Sequence, residues 1–238
     1  MRLAVITDVH GNVPALHAAL ARAEVLGVDE IYCGGDLVGY GPQPNEICRM
    51  IEERAIPTIY GNYDYAIARD LDDCGCFYPT PRDREIGQSS VAWTLAHTDE
   101  RSKRFMRELP FDLRFELAGT RVRLVHGSPR KVNEYLLEER AASTFERIAQ
   151  MADCDVLLFG HTHKPWIKEY GGVLFVNCGS VGKPKDSDPR GSFALLEERD
   201  GHVRASIERV AYDVESVAAE VRRVGLPLEL ADQLVRAE

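Results

Sequence analysis

Short apolar runs alternate with amphipathic stretches along the first part of the chain, and this alternation predicts strands and helices in turn. Residues 2–7 have the pattern of a buried strand, and the helix predicted over 14–26 begins with Pro14, which suits the first helical position. A strand at 30–33 and a helix at 45–54 follow. Strands that alternate with helices in this way are typical of parallel pairing.

The same reading predicts further strands, one ending at Gly61-Asn62 and others at about 111–117, 120–125, 156–159, 166–170, 173–177, 192–198 and 203–211. Glycine between neighbouring runs, at Ala118-Gly119 and Gly171-Gly172, indicates hairpins. Helices are expected at about 141–151, 213–224 and 227–237. Two strand-rich halves with outer helices predict an α/β fold in which a mixed β-sandwich is flanked by helices.

Residues 65–110 interrupt this rhythm and contain two predicted helices, at 84–97 and 99–109. The segment is too small to build much core of its own, so we interpret it as a small helical cap inserted beside the site. The prediction is therefore a single domain over 1–238, with strands and helices at 192–238 completing it.

Five short polar blocks directly follow apolar runs, and together they hold seven side chains of metal-binding type. The blocks are Asp8-Val9-His10, Gly35-Asp36, Gly61-Asn62, His126-Gly127 and Gly160-His161-Thr162-His163. Strand ends position side chains that the following loops leave accessible, so these residues are expected to converge. Carboxylate and imidazole ligands suit manganese, which we favour, with iron, zinc or nickel as alternatives. The sequence thus predicts two divalent metal ions.

The order of these blocks resembles the calcineurin-like metallophosphoesterase superfamily, including its small bacterial phosphodiesterases, whose pattern is D-x-H, G-D, G-N-H-D/E, H-G and G-H-x-H. The resemblance extends from residue 1 to about 185. It implies one metal bound by Asp8, His10, Asp36 and His163, and a second bound by Asp36, Asn62, His126 and His161. Asp36 would bridge the two ions. It also implies hydrolysis by a hydroxide at the metal ions, so that no protein nucleophile is needed.

One position departs from the family pattern, because Tyr63 stands where a histidine is common, while the acidic residue Asp64 is kept. In the family that histidine assists the leaving group and the acidic residue orients it. A tyrosine with a pKa of about 10 is a poorer general acid at neutral pH than histidine. We predict Tyr63 and Asp64 as catalytic positions, with Tyr63 as proton donor, substrate contact or neither. The change favours phosphodiesters or activated esters.

Three residues are predicted to contact the substrate phosphate. Asn12 lies just beyond the first block, Asn62 is also a predicted metal ligand, and Arg190 lies in the Pro- and charge-rich loop at 181–191. For Arg190, a solvated loop charge is an equally good interpretation.

Composition narrows the choice of partners and compartment. The formal net charge of −9 works against general nucleic-acid binding, although a metal centre would still attract a small phosphate ester. No apolar run approaches the roughly 18 residues of a membrane span. The first strand passes directly into the Asp8 block, which argues against a signal peptide, and six cysteines suggest a reducing environment. We therefore predict a cytoplasmic protein. For Cys74-Gly75-Cys76, ordinary loop cysteines are favoured over a metal or redox pair.

The function predicted from these residues is a binuclear metal-dependent phosphoesterase acting on phosphodiesters or on activated, nucleotide-like esters. A phosphomonoesterase and a dinucleoside-polyphosphate hydrolase are alternatives within the same class. A metal-binding scaffold of the same fold, without turnover, is the non-enzymatic alternative. The sequence predicts neither the natural substrate nor the oligomeric state.

Overall fold

The structure is a computed structural model that describes residues 1–199 and 201–238. Its strands are β1 (Arg2–Ile6), β2 (Glu30–Cys33), β3 (Asp112–Leu117), β4 (Thr120–Val125), β5 (Val156–Phe159), β6 (Trp166–Tyr170), β7 (Val173–Asn177), β8 (Gly191–Arg199) and β9 (His202–Val210). Its helices are α1 (Val13–Val25), α2 (Pro44–Glu53), α3 (Asn62–Ala68), α4 (Pro81–His97), α5 (Glu100–Glu108), α6 (Ala142–Ala152), α7 (Val214–Arg223) and α8 (Leu228–Arg236).

Two mixed sheets face each other across an apolar layer. The first sheet has the strand order β2-β1-β8-β9, and the second has the order β3-β4-β5-β7-β6. Side chains from both sheets, among them Leu3, Val5, Leu124 and Leu158, belong to one buried cluster. The predicted mixed β-sandwich flanked by helices is confirmed by this arrangement.

Helices cover the outer face of each sheet. Leu16 of α1 packs with Ala4 and Ile6 of β1 in one cluster. Phe145 of α6 packs with Leu157 and other side chains of the second sheet in another cluster. Both faces of β1, β5 and β7 are therefore covered. This is why these strands appear in the sequence as nearly continuous apolar runs, without regular alternation of apolar and polar residues.

Parallel pairing brings the polar blocks to one end of the sandwich. β1 pairs in parallel with β2, and β5 pairs in parallel with both β4 and β7. The carboxyl ends of these strands lead into the loops that carry Asp8, Asp36, His126 and His161. The same edges therefore gather the predicted ligands, as expected for parallel strands.

The strand predicted before Gly61 was wrong in extent. Only Thr58 of this segment forms a bridge, with Cys33 at the end of β2. Pro57 lacks a backbone N–H, and Tyr60 N–H instead donates to the carbonyl of Pro110 at 3.0 Å, so the pairing does not continue. The chain then enters α3 directly at Asn62, a helix that the sequence reading did not predict.

Helices α7 and α8, which we call the C-terminal hairpin, pack against α4. Ile86 of α4 shares a buried cluster with Val217 and Val221 of α7 and with Leu230 of α8. Residues 81–108 and the C-terminal hairpin therefore lie side by side next to the sandwich. Among the helices of the described residues, none has the length and apolarity that crossing a membrane requires.

Trp93 provides a test of this packing. Its indole N–H donates to the carbonyl of Val224, at the end of α7, at 3.0 Å. Replacing Trp93 by phenylalanine removes this bond, so we expect the free energy of unfolding to fall by about 1 kcal/mol. Urea denaturation measures the change. An unaltered midpoint would show that the bond to the C-terminal hairpin contributes nothing to stability.

Candidate metal centre

The backbone at the predicted ligands adopts an uncommon conformation. Five of them have positive φ, namely Asp8 (53°), His10 (48°), Asp36 (51°), His161 (64°) and His163 (59°). Such left-handed conformations cost non-glycine residues about 1–3 kcal/mol each and cluster at functional sites. Backbone bonds hold them in place, including Asp8 N–H to the Gly35 carbonyl and His10 N–H to the Asp36 carbonyl, each at 2.9 Å.

Asp8, His10 and His163 form one cluster of possible ligands. His163 Nε2 lies 3.2 Å from Asp8 Oδ1, and His10 Nε2 lies 3.7 Å from the same oxygen. The Nε2 atoms of His10 and His163 are only 3.2 Å apart. All three side chains are buried, so their donor atoms face a common point that bulk water does not fill.

Asp36, His126 and His161 form a second cluster. His126 Nε2 lies 3.4 Å from Asp36 Oδ2, and it lies 3.1 Å from the side-chain oxygen of Asn62. Asp36 Oδ2 is also 3.7 Å from His10 Nε2 of the first cluster. Asp36 therefore lies between the two clusters, in the position that a bridging ligand would occupy.

The hydrogen bonds of the imidazoles orient their free nitrogens inward. Nδ1 of His10 contacts the Val38 carbonyl at 2.9 Å, and Nδ1 of His126 contacts the Gly34 carbonyl at 2.8 Å. Nδ1 of His163 contacts the Lys183 carbonyl in the same way. A protonated Nδ1 at each carbonyl leaves Nε2 as a lone-pair donor, which is the usual arrangement of metal-binding histidines.

Within the part of the chain that the structure describes, two buried polar atoms of the candidate centre have no hydrogen-bond partner, namely Asp8 Oδ1 and His161 Nε2. Leaving a buried donor or acceptor unpaired costs about 1–3 kcal/mol, and closely opposed imidazole lone pairs repel each other. Cations between the two clusters would satisfy these atoms. The residues present therefore fit a pair of divalent metal ions.

The charges of the candidate centre also favour the binding of cations. Burial alone would raise the pKa of Asp8, but His163 and His126 hold it well below its usual range. Burial would lower the pKa of His126, whereas Asp36 and Asp8 raise it to about 10. Burial and the neighbouring His126 lower the pKa of His161 to about 3. The two buried carboxylates thus attract positive charge, and protonation of one imidazole beside them disfavours protonation of the next.

Asp64 connects the loops that carry the ligands. Its carboxylate accepts hydrogen bonds from Leu37 N–H at 2.8 Å and from Gly61 N–H at 2.9 Å. It thereby joins the first turn of α3 to the loop after Asp36. Burial and the nearby Asp36 raise the pKa of Asp64 to about 7. These contacts support a positioning role for Asp64.

Tyr63 is fully buried, and its hydroxyl has no hydrogen-bond partner among the described residues. Its ring centroid lies 5.6 Å from that of His10 and 4.8 Å from that of Tyr40. A Cβ added to Gly39 would come within 2.3 Å of the Tyr63 ring, so the loop needs glycine there. The ring of Tyr63 is therefore packed against His10, a predicted ligand, and the catalytic role of Tyr63 stays a prediction.

Comparison with known proteins decides the family. The family model described as the calcineurin-like phosphoesterase superfamily domain matches residues 1–201. The chain belongs to this superfamily. The resemblance inferred from the five blocks is confirmed, and the match places the chain in a metal-dependent phosphoesterase family.

Individual relatives of this chain are also similar over most of its length. An uncharacterized protein of Methanocaldococcus jannaschii is 28% identical over 251 residues, covering 98% of this chain and 96% of that protein. Phosphodiesterase YfcE of Escherichia coli is 24% identical over 200 residues, covering 83% of this chain and 88% of YfcE. The crystal structure of a metallophosphoesterase from Sphaerobacter thermophilus is 29% identical with a TM-score of 0.80, covering 100% of this chain and 99% of that one.

Two of the three predicted phosphate contacts, Asn12 and Arg190, have other partners in the structure. The Asn12 side chain begins α1, since its oxygen accepts from Ala15 N–H at 3.1 Å and its amide donates to the Gly182 carbonyl at 2.9 Å. Arg190 is exposed and pairs with Asp188 at 2.7 Å. The structure does not bring Arg190 together with the seven ligands, and its role in substrate binding stays a prediction.

The sequence reading missed two lysines of the same loop. Lys183 is buried and its ammonium lies 5.1 Å from the centre of the Tyr40 ring, while that of Lys185 lies 5.6 Å from it. Tyr40 in turn contacts His10, with ring centroids 4.9 Å apart. The loop follows β7, which is another parallel strand of the second sheet. The rule that strand ends carry functional side chains would therefore have identified it.

Proposed function

We propose that this chain is a binuclear metal-dependent phosphoesterase that hydrolyses small phosphodiesters or activated esters in preference to ordinary phosphomonoesters. The observation that carries the proposal is the convergence of two buried ligand clusters whose free Nε2 and carboxylate oxygens face each other. The relative YfcE is a phosphodiesterase, which supports the same class of activity.

The proposed ligands divide between two sites. Asp8, His10 and His163 would hold one ion, His126, His161 and Asn62 would hold the other, and Asp36, which lies near both groups, would be available to either. Two such ions, when bound, polarise a phosphoryl group and lower the pKa of a water molecule near them. The chain supplies the orientation. Carbonyls of Val38 and Gly34 fix the imidazole rings, and burial excludes competing water from the ligand atoms.

The preference for diesters rests on the residue at position 63. A phosphomonoester with a poor leaving group needs a proton donor near the departing oxygen. Burial raises the pKa of the Tyr63 hydroxyl well above its usual value. Tyr63 is therefore a weak general acid. The rate of hydrolysis of esters with good leaving groups depends least on such an acid, so these esters are the preferred substrates.

Metal content and turnover on one preparation test the proposal. The purified protein is reconstituted with manganese, iron, zinc or nickel, its metal content is measured, and hydrolysis of bis(p-nitrophenyl) phosphate is followed. We expect about two ions per chain and turnover that a chelator abolishes. The His161→Ala variant is the control, because it removes one ligand of the second cluster. Turnover no greater than that of this variant with every metal would favour the scaffold alternative.

Substitutions at Tyr63 test the leaving-group argument. We expect Tyr63→His to raise hydrolysis of p-nitrophenyl phosphate relative to its diester by about 10-fold or more, because histidine is a competent general acid at neutral pH. Tyr63→Phe should leave both rates within about 3-fold, since the hydroxyl has no partner to lose. Equal changes on both substrates in Tyr63→His would contradict the assigned role of this position.

A further inference from the structure

A cavity of about 360 Å³ opens beside the candidate metal centre. We call it the tyrosine cavity, and its walls include Tyr40, Cys76, Tyr78, Tyr135, Lys183 and Lys185. Small-molecule sites are commonly concave and of this size. None of the seven predicted metal ligands is among the residues that line the cavity.

Three wall residues of the tyrosine cavity contact predicted metal ligands. The ring of Tyr40 lies against His10 with centroids 4.9 Å apart, and that of Tyr135 lies against His161 with centroids 4.1 Å apart. Cys76 Sγ lies 3.2 Å from the side-chain nitrogen of Asn62. The cavity therefore borders both ligand clusters, and a group bound to the metal ions would extend into it.

Aromatic rings form much of the wall. Tyr40, Tyr78 and Tyr135 are half-buried, so part of each remains open to the cavity. The ring of Tyr78 is held against α4, where a Cβ on Gly87 would come within 2.3 Å of it. Aromatic surfaces fixed in this way bind planar aromatic groups by stacking, with little loss of side-chain freedom.

Lys185 lies close to the predicted ligands in the fold, since its backbone N–H donates to the carbonyl of His163 at 3.2 Å. Within the described residues its ammonium forms no salt bridge, while the acidic residues of the same loop are paired elsewhere, Asp186 with Arg209 and Asp188 with Arg190. Lys183 differs, because Gln233 and a main-chain oxygen of Glu238 hold its ammonium at 3.2 and 3.1 Å. Lys185 is thus the cation available to a phosphate oxygen on a ligand.

Helices contribute to the wall of the tyrosine cavity. Ile86 of α4 and Leu230 of α8 line it, and these two residues pack in one buried cluster. A single aromatic group with its phosphate suits a cavity of this size, and the net charge of −9 works against binding of a nucleic-acid strand.

We infer that the tyrosine cavity binds the planar aromatic moiety of a phosphate ester, of nucleoside or aryl type, while Lys185 contacts the phosphate that the metal centre holds. The inference rests on the proposed function for the position of the phosphate. It adds the substrate class and names Tyr78, Tyr135 and Lys185 as residues that determine specificity.

Calorimetric binding separates this inference from the question of turnover. The manganese-loaded protein is titrated with phenylphosphonate and methylphosphonate, whose C–P bonds resist hydrolysis, and with AMP and ribose 5-phosphate. The two pairs to compare are phenylphosphonate with methylphosphonate, and AMP with ribose 5-phosphate. In at least one pair we expect the aromatic ligand to bind about 10-fold more tightly, because stacking on aromatic side chains contributes a free energy of that size. Preference within the AMP pair would assign a nucleoside, and preference within the phosphonate pair alone would assign an aryl group.

Substitutions in the cavity wall identify the residues that produce the preference for aromatic ligands. Tyr78→Leu should abolish the aromatic preference, and Tyr135→Leu repeats the test if Tyr78→Leu does not fold. Lys185→Met should weaken both members of a pair equally, by about 5-fold or more. Tyr65→Leu and Lys168→Met, both at exposed positions outside the cavity, are the matched controls. Equal binding of aromatic and non-aromatic ligands to the unaltered protein would overturn the inference, whether or not the protein hydrolyses diesters.

Discussion

Replacing Asp36 by asparagine is expected to lower kcat for diester hydrolysis by about 1000-fold and to reduce the bound metal. Its Oδ2 lies 3.4 Å from His126 Nε2 and 3.7 Å from His10 Nε2, so it is the carboxylate oxygen placed between the two clusters. Metal ions stabilise transition-state charge by several kcal/mol, and about 4 kcal/mol corresponds to this factor in rate. Asparagine keeps an oxygen for the Tyr63 N–H, which donates to Asp36 Oδ1 at 2.8 Å.

Metal analysis and kinetics on the same preparation check this result. Asp155→Asn is a matched control, because Asp155 pairs with Arg121 on an exposed surface. The control should retain both metal content and kcat within about 2-fold, as surface pairs contribute little. If Asp36→Asn kept two ions per chain and normal turnover, Asp36 could not be a shared ligand.

The second large effect is expected from Gly160→Ala. A Cβ at this position would come within 2.2 Å of Asp8 Oδ2 and 2.5 Å of Thr7 Oγ1. Asp8 Oδ2 accepts hydrogen bonds from Thr7 Oγ1 at 2.7 Å and from His161 N–H at 3.0 Å, so the methyl group must displace a ligand and its supports together. Loss of such supporting contacts typically costs 10–100-fold in metal affinity, and we expect about 100-fold.

Competition with a fluorescent metal indicator measures the affinity of the Gly160→Ala variant. Gly119→Ala is the comparison, since a Cβ there meets no atom within 4 Å although its φ of 78° disfavours alanine. It should lower stability modestly without changing metal affinity. Similar metal affinity in both variants would mean that the close approach of Gly160 to Asp8 does not shape the site.

The strands and the convergence of the candidate ligands could be predicted from the sequence for one physical reason. A buried parallel strand gives an uninterrupted apolar run, and the polar residue after it marks the open end of the strand. Asp8, Asp36, His126 and His161 each carry this local signal. The mixed sandwich and the family followed from it.

The features that were missed depend on contacts between distant parts of the chain. Pro57 reduced an apolar run to a single bridge, and α3 begins at Asn62 because the Asp64 carboxylate reaches both Gly61 and Leu37. The tyrosine cavity draws its walls from four separate loops and two helices. No local pattern in the sequence predicts such an assembly, nor the ion pair that the exposed Arg190 forms with Asp188.

The left-handed backbone at five of the ligands sets a limit on how this protein can be engineered for robustness. At about 1–3 kcal/mol each, these conformations together approach the net stability of an ordinary domain. Glycine would relieve the local strain at any of them but would delete the ligand. A search that selects for thermal tolerance alone would therefore tend to erode the metal centre first. Gains in durability are better sought in the sandwich core and the C-terminal hairpin.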